Sequence, residues 1–391
     1  MSFVDQPAAM ESGIPYINDS YLADEQTLVR ELAAAADPGD ATRKKIQETA
    51  AQLVRAVRRN TSKEGGIEAF LQQYDLSSDE GVLLMCIAEA LLRIPDADTA
   101  DRLIADKITS AKWKDHLGVS DSIFVNASTW GLMLTGQILS LDEIATSNPG
   151  QTLGRLVSRV GEPLVRTAMR QAMKIMGHQF VMGRTIGEAL KRSLKNEKLP
   201  YRYSFDMLGE SALTADDAKR YLDNYHAGID SIGKGPQIDA PDVFSAPGIS
   251  VKLSALHPRY EYTHEERVMA ELVPAITELA KHAREVGIGL TIDSEEASRL
   301  EMWLGIFERV YRDSALDGWD GFGLAVQTYQ RRGRDTMRFV EELAGEVGRR
   351  IPVRLVKGAY WDSEIKWAQE QGLSSYPVFT RKSHSDVSYL A

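Results

Sequence analysis

From about residue 200 onward, short apolar runs with period-two alternation are separated by longer stretches with helical spacing. Five strands are predicted: 201–207 (YRYSFDM), 248–254 (GISVKLS), 287–293 (GIGLTID), 321–327 (GFGLAVQ) and 352–358 (PVRLVKG). Between them, TADDAKRYLDNYHAGI, THEERVMAELVPAITELAKHAREV, EEASRLEMWLGIFERVYRD and GRDTMRFVEELAGEVGRR read as helices. Strands that alternate with helices indicate a parallel α/β sheet built from successive βα units. Period two then divides each strand into faces. One face is large and aliphatic: Phe205, Ile249, Val251, Leu253, Leu290, Ile292, Phe322, Leu324, Val326, Val353 and Leu355. The other is small, with a polar or charged residue toward the C-terminal end: Ser204 and Asp206; Ser250, Lys252 and Ser254; Gly289, Thr291 and Asp293; Gly323, Ala325 and Gln327; Arg354, Val356 and Gly358. A doubly wound sheet wants both faces apolar. A barrel whose small inner residues leave room, with charges ringed at its mouth, fits the pattern better.

The stretch from Ile351 to Glu364 (IPVRLVKGAYWDSE) concentrates this chemistry. Arg354 projects from an apolar strand, and Tyr360 and Trp361 follow where the strand opens into a helix, with Asp362 as the predicted N-cap. An unpaired interior charge costs several kcal/mol. Asp206, Lys252, Asp293 and Arg354 would converge at one end of the barrel. They can pair with one another, or they can serve a ligand; five strands each ending in a polar inward residue favour the ligand. Two acids and two bases leave little surplus charge, so the ligand expected is zwitterionic, or charged and accompanied by a polar cofactor.

The N-terminal half is helical in pattern. Residues 1–60 predict two helices broken at Asp37-Pro38-Gly39, the second with a narrow stripe of Ile46, Ala50, Leu53 and Val57. This reads as an arm for oligomerisation or docking, or else as a solvated hairpin. Residues 61–192 read as a helical domain with no catalytic constellation, and Met169, Met173 and Met176 there read as core. The loop from Ser147 to Gly154 (SNPGQTLG) lacks the Gly-Lys-Ser/Thr ending of a phosphate loop. Cys86 is the single cysteine, so no intrachain disulfide is possible and a reducing compartment is expected. Seven scattered histidines without HExxH or Cys/His spacing argue against a metal. A net charge of −10 argues against broad DNA binding. No apolar run approaches 18 residues and the N-terminus has no signal-peptide pattern, so the expectation is a cytoplasmic protein.

Several long motifs in order then resemble proline dehydrogenase, as found at the N-terminus of bifunctional proline utilization A enzymes. They are MCIAEALLRIPDADTADRLIADK, FVNASTWGLMLTG and MRQAMKIMGHQFVMGRTI in the helical region, then SFDMLGESALT, PGISVKLSALHPRY, IDSEEASRLE, VQTYQRR, RLVKGAYWD and PVFTRKSHSDVSYLA. The resemblance implies an α/β fold: an all-α arm and helical domain, then a TIM-like (βα)8 barrel over 193–391, incomplete at the C-terminus with five strands. It implies oxidation of L-proline to Δ1-pyrroline-5-carboxylate by hydride transfer to FAD. Lys252, Asp293 and Arg354 would be catalytic; Asp206, Glu210, Lys252 and Tyr360 would line the substrate end. Asp293, Ala325, Gln327, Arg354, Val356, Gly358, Ala359, Tyr360, Trp361, Phe379, Thr380, Arg381 and Lys382 would hold the cofactor, the last three at ribityl and phosphate groups.

Departures from the family pattern carry further expectations. Three βα units and an aldehyde-dehydrogenase half that would use NAD are expected beyond Ala391, so this chain is expected to be part of a larger enzyme. The ribbon-type DNA-binding segment at the start of some members is not found, so no DNA partner is expected. The resemblance implies a homo-oligomer in the full-length enzyme and electron transfer to a quinone through peripheral contact with the inner face of the cell membrane. Two other readings stay open: an inactive assembly or binding module acting through the arm, and a different barrel enzyme with a phosphate-bearing ligand.

Overall fold

The computed structural model describes residues 16–61, 181–194, 201–235 and 241–391. The sequence readings at Cys86, Ser147–Gly154 and Met169–Met176 lie outside these residues, as does most of the expected helical domain. The chain falls into two compact units, Met1–Pro38 with Asn196–Ala391, and Gly39–Lys195. In the second unit, α2 (Gly39–Thr61) and α3 (Ile186–Leu194) are described. The stripe expected on α2 is solvent-exposed, with Ile46 and Leu53 both more than half accessible.

In the first unit, α1 (Glu25–Ala35) is capped by Asp24, whose side chain accepts the Thr27 N–H at 2.8 Å. The βα succession follows: β1 (Ser204–Asp206), α4 (Ala215–Gly233), β2 (Gly248–Val251), α5 (Glu265–Glu285), β3 (Gly289–Ile292), α6 (Leu300–Tyr311), β4 (Phe322–Gln327), α7 (Gly333–Val347), β5 (Val353–Val356), α8 (Trp361–Glu370) and α9 (Lys382–Leu390). All five strands fall where alternation predicts them, and they form one parallel sheet in the order β1-β2-β3-β4-β5. Local chemistry starts and stops the helices. Thr214 and Asp217 make a reciprocal capping box at α4. Gly348 ends α7 in the left-handed conformation, at φ 69°.

All five strands are shorter than predicted, and two of the shifted boundaries have a local cause. β2 ends at Val251, because Leu253–Ala255 turn into a short 3₁₀ helix whose Ser254 N–H donates to the Glu295 carboxylate at 3.0 Å. The helix after β5 begins at Trp361 with Tyr360 at its N-cap, so Asp362 sits in the first turn instead of capping it. The turn is held there by the Trp361 indole, which donates to the Phe379 carbonyl at 2.8 Å.

The two-face reading holds in the packing. Val251, Leu290, Ile292, Phe322, Leu324 and Val326 are all essentially inaccessible. Phe322 stacks on Phe307 of α6, centroids 4.8 Å apart and planes 8° from parallel. The opposite face is concave. In a flat sheet β2 and β5 would lie about 14 Å apart, three strand spacings of about 4.8 Å. Yet the Arg354 guanidinium donates to Ser250 Oγ at 3.0 Å, over the top of β3 and β4. Only a sheet curled toward its small-residue face brings them together, which accords with part of a TIM-like barrel. One small residue has another cause. A Cβ on Gly323 would stand 2.3 Å from the Pro352 carbonyl oxygen, so this glycine admits close strand approach and opens no space.

Residues 16–36 belong to this barrel unit. Arg332 is buried, donates to Asn18 Oδ1 at 2.9 Å and lies 4.5 Å from the Tyr21 ring centroid. Leu28 and Leu32 of α1 cluster with Phe379.

If the outer face is core and the inner face a lined interior, truncations on the two should differ. Leu324→Ala should cost about 2–5 kcal/mol, and Thr291→Ala less than about 1.5 kcal/mol. Urea unfolding measures both; equal costs would contradict the two-face architecture.

Candidate active site

The register places the polar residues in layers. Asp206 pairs with Ser250, Ser250 with Thr291, and Thr291 with Gly323. Lys252, Asp293 and Arg354 lie one step further along, with Ala325 opposite Arg354 and buried. Lys252 Nζ donates to Asp206 Oδ1 at 2.8 Å and Oδ2 at 2.9 Å, and to Asp293 Oδ2 at 3.2 Å. The other oxygen of Asp293 accepts from Arg354. The four charges therefore form one chain, Asp206–Lys252–Asp293–Arg354, and satisfy one another as the first of the two sequence readings allowed.

Its middle and ends differ. The Lys252 and Asp293 side chains are only 15% and 12% accessible, whereas Arg354 and Asp206 keep 40% and 45%. The inner pair sets the geometry and the outer pair faces what enters. Burial opposes the Lys252 charge, but Asp206 and Asp293 outweigh it and hold the ammonium above its ordinary pKa. Burial leaves the Asp293 carboxyl above its ordinary value even against Arg354 and Lys252, which pull it down. The backbone around this pair is pinned from outside. The Trp303 indole donates to the Asp293 carbonyl at 3.0 Å, and the Lys252 N–H donates to the Tyr225 hydroxyl at 3.3 Å.

A second group gathers at the C-terminal ends of β4 and β5. The Gln327 carboxamide accepts the Ala359 N–H at 3.1 Å and donates to the Glu295 carbonyl at 2.7 Å and Ser294 Oγ at 3.2 Å. It joins the loops after β3 and β5, with its Cα opposite that of Val356. Gly358 has φ 137°, and a Cβ there would lie 2.2 Å from the Tyr329 ring, so only glycine lets the chain pass. Burial first, then the charges of Glu210, Glu295, Glu296 and Asp293, push the Tyr360 hydroxyl up, which places Tyr360 among these acids. Trp361 is exposed and hydrogen-bonded to Phe379, whose own side chain is fully buried. Thr380, Arg381 and Lys382 are exposed at the start of α9. Thr380 donates to Glu25 of α1 through its N–H at 2.9 Å.

Arg381 and Lys382 are exposed and Arg354 is partly accessible, while the half-buried Tyr360 and exposed Trp361 follow the glycine-limited backbone at Gly358.

The comparisons bear on what that group serves. Residues 189–391 match the model described as proline dehydrogenase. The chain belongs to the proline dehydrogenase family. Residues 16–58 match the N-terminal domain of proline utilization A proline dehydrogenase. Residues 66–180, all outside the described set, match a model described as the DNA-binding domain of proline dehydrogenase. That description runs against the expected absence of a DNA partner, which rests on the acidic charge and the missing ribbon-type segment. Bifunctional protein PutA of Salmonella typhimurium is 46% identical across 94% of this chain and 28% of its own length. The Rhizobium meliloti protein of that name is 48% identical across 96% of this chain and 30% of its own. A crystal structure of a Bradyrhizobium japonicum proline utilization A variant aligns with TM-score 0.67 and 44% identity, covering 94% of this chain and 36% of that one. The chain thus spans less than a third of the curated proline dehydrogenase relatives cited here.

Sequence reasoning passed over two buried carboxylates beside these residues. Glu295 and Glu364 are almost inaccessible and accept backbone N–H groups of Ser254 and Ala297 at 3.0 and 2.6 Å. Both lie in polar motifs that look solvated, and their burial depends on contacts distant in sequence. Burial pushes each carboxyl up to about 7.

A carboxyl raised in this way holds its proton in the folded state and releases it in the unfolded one. Its stability contribution is therefore present below the ordinary value of 4.5 and lost as pH rises to about 7. Glu295→Gln keeps the acceptor and removes the charge. Denaturant titrations should show the variant gaining on wild type by about 3 kcal/mol across that window, and a constant difference would contradict the buried carboxyl.

Proposed function

We propose that this chain forms the L-proline-binding and FAD-binding part of a proline dehydrogenase, producing Δ1-pyrroline-5-carboxylate. The charge chain carries the reading. Two buried inner charges and two accessible outer ones present both signs at the mouth of a concave sheet, which matches a zwitterionic amino acid. The family match supports proline as that amino acid.

Bound FAD would supply the hydride acceptor. The residues that would hold it are Asp293, Ala325, Gln327, Arg354, Val356, Gly358 to Trp361, and Phe379 to Lys382, with Asp293 also near the substrate. Lys252 offers an ammonium to the proline carboxylate while Asp206 and Asp293 keep it charged and oriented. Arg354 presents a fixed positive charge where negative charge develops, and its bonds to Asp293 and Ser250 remove the need to reorganise. Glu210 and Tyr360 close the substrate side. By the family resemblance we further propose a quinone electron acceptor at the inner membrane face, a homo-oligomeric whole enzyme and an NAD-dependent second half. Among the described residues no helix is long and apolar enough to cross a membrane.

The test is the visible spectrum of the purified full-length protein, whose flavin absorbance should bleach on adding L-proline. A flavin-free protein, or a bound flavin indifferent to proline, would overturn the reading. Arg354→Met should slow bleaching or weaken FAD binding by about 10–100-fold, as loss of a preorganised charge-assisted donor does. Lys252→Met should raise the proline concentration for half-maximal rate at least about tenfold, because a hydrogen bond to a charged group is lost.

A further inference from the structure

Glu25 stands 355 residues before Thr380 in the chain, yet its carboxylate is the hub of the turn that precedes α9. One oxygen accepts the Thr380 N–H at 2.9 Å, and both lie within 3.2 Å of the Thr380 hydroxyl. His384 Nδ1 meets the same carboxylate, and Arg331 donates to it at 3.1 Å. Arg331 is buried and also donates to Ser375 Oγ at 2.7 Å. Glu25 itself is 13% accessible, so this is an interior contact.

The opposite side of the turn is tied to the barrel. The Phe379 N–H donates to the Tyr329 carbonyl at 2.8 Å, and the Phe379 carbonyl accepts the Trp361 indole at 2.8 Å. The Arg331 N–H donates to the Pro377 carbonyl at 3.0 Å. Residues 377–380 are therefore held between the segment after β4 and α1, and the exposed Arg381 and Lys382 follow at the end of that clamp.

From this arrangement we infer that Glu25 is a positioning residue for the cofactor end of the site, ordering the Phe379–Lys382 turn through Thr380 and His384. The inference rests on the proposed FAD role of that turn. A carboxylate so near cations could instead compete with an anionic ligand. Here its charge is met by Arg331, which leaves Arg381 and Lys382 to the ligand. Fixing the turn before binding removes an ordering cost that the ligand would otherwise bear.

Three substitutions in the full-length protein test this, read by amide hydrogen exchange over residues 379–385 and by FAD titration of the apoprotein. Glu25→Ala should speed exchange in the turn and weaken FAD binding about tenfold, the loss expected for one charge-assisted contact. The rate at saturating FAD and the KM for proline should stay at wild-type levels, since Glu25 touches neither reactant. Glu25→Gln keeps an acceptor for the Thr380 N–H and should restore affinity to within about threefold. Asn18→Ala loosens the same N-terminal segment at Arg332, away from the turn. It should lower thermal stability while leaving FAD affinity within about twofold. Equal FAD losses in Asn18→Ala and Glu25→Ala would reduce the effect to docking of the segment and overturn the proposal. Unchanged exchange in Glu25→Ala overturns it whatever binds. A wild-type protein that takes up no FAD overturns the functional reading instead.

Discussion

The contact of Arg354 with Asp293 and Ser250 depends on curvature, and much of the site depends on that contact. A guanidinium on β5 reaches a hydroxyl on β2 only because the sheet bends toward its small-residue face. The bend in turn requires large side chains on the convex side, where Leu290, Phe322 and Leu324 are buried under the helices. Packing on one face thus produces electrostatics on the other. Apolar burial supplies the stability, and the enclosed charges survive because each acid meets a base within hydrogen-bond distance.

The charge chain pairs all four of its members and still leaves its two ends accessible. Lys252 and Asp293 are the less accessible pair, and each is held by a partner on either side. Asp206 and Arg354 remain accessible while paired. A buried lysine without its acids would lose its charge to desolvation. The acids therefore serve function by keeping a cation available.

The second half of the site is organised by backbone as much as by side chains. Gly358 lets the chain cross the Tyr329 ring, Gln327 stitches two loops, and the 377–380 turn is gripped from both sides. The N-terminal residues, which read in sequence as an arm for oligomerisation or docking, contribute to this grip. They supply polar partners to the buried guanidinium groups of Arg331 and Arg332, which barrel residues also contact.

Periodicity by itself determined the five strands, their two faces and the convergence of Asp206, Lys252, Asp293 and Arg354. Those features follow from side-chain alternation in the pleat, which is local. The long motifs pointed to the proline dehydrogenase family for the same reason, being contiguous. Tertiary structure decided what lay between distant positions. It set the pairing of the four charges, the burial of Glu295 and Glu364, and the closing of the Thr380 turn by Glu25. It also showed that Gly323 is small because a neighbouring strand crowds it. None of these could be read locally, since each depends on which atoms from remote segments fill the last few ångströms around a polar group.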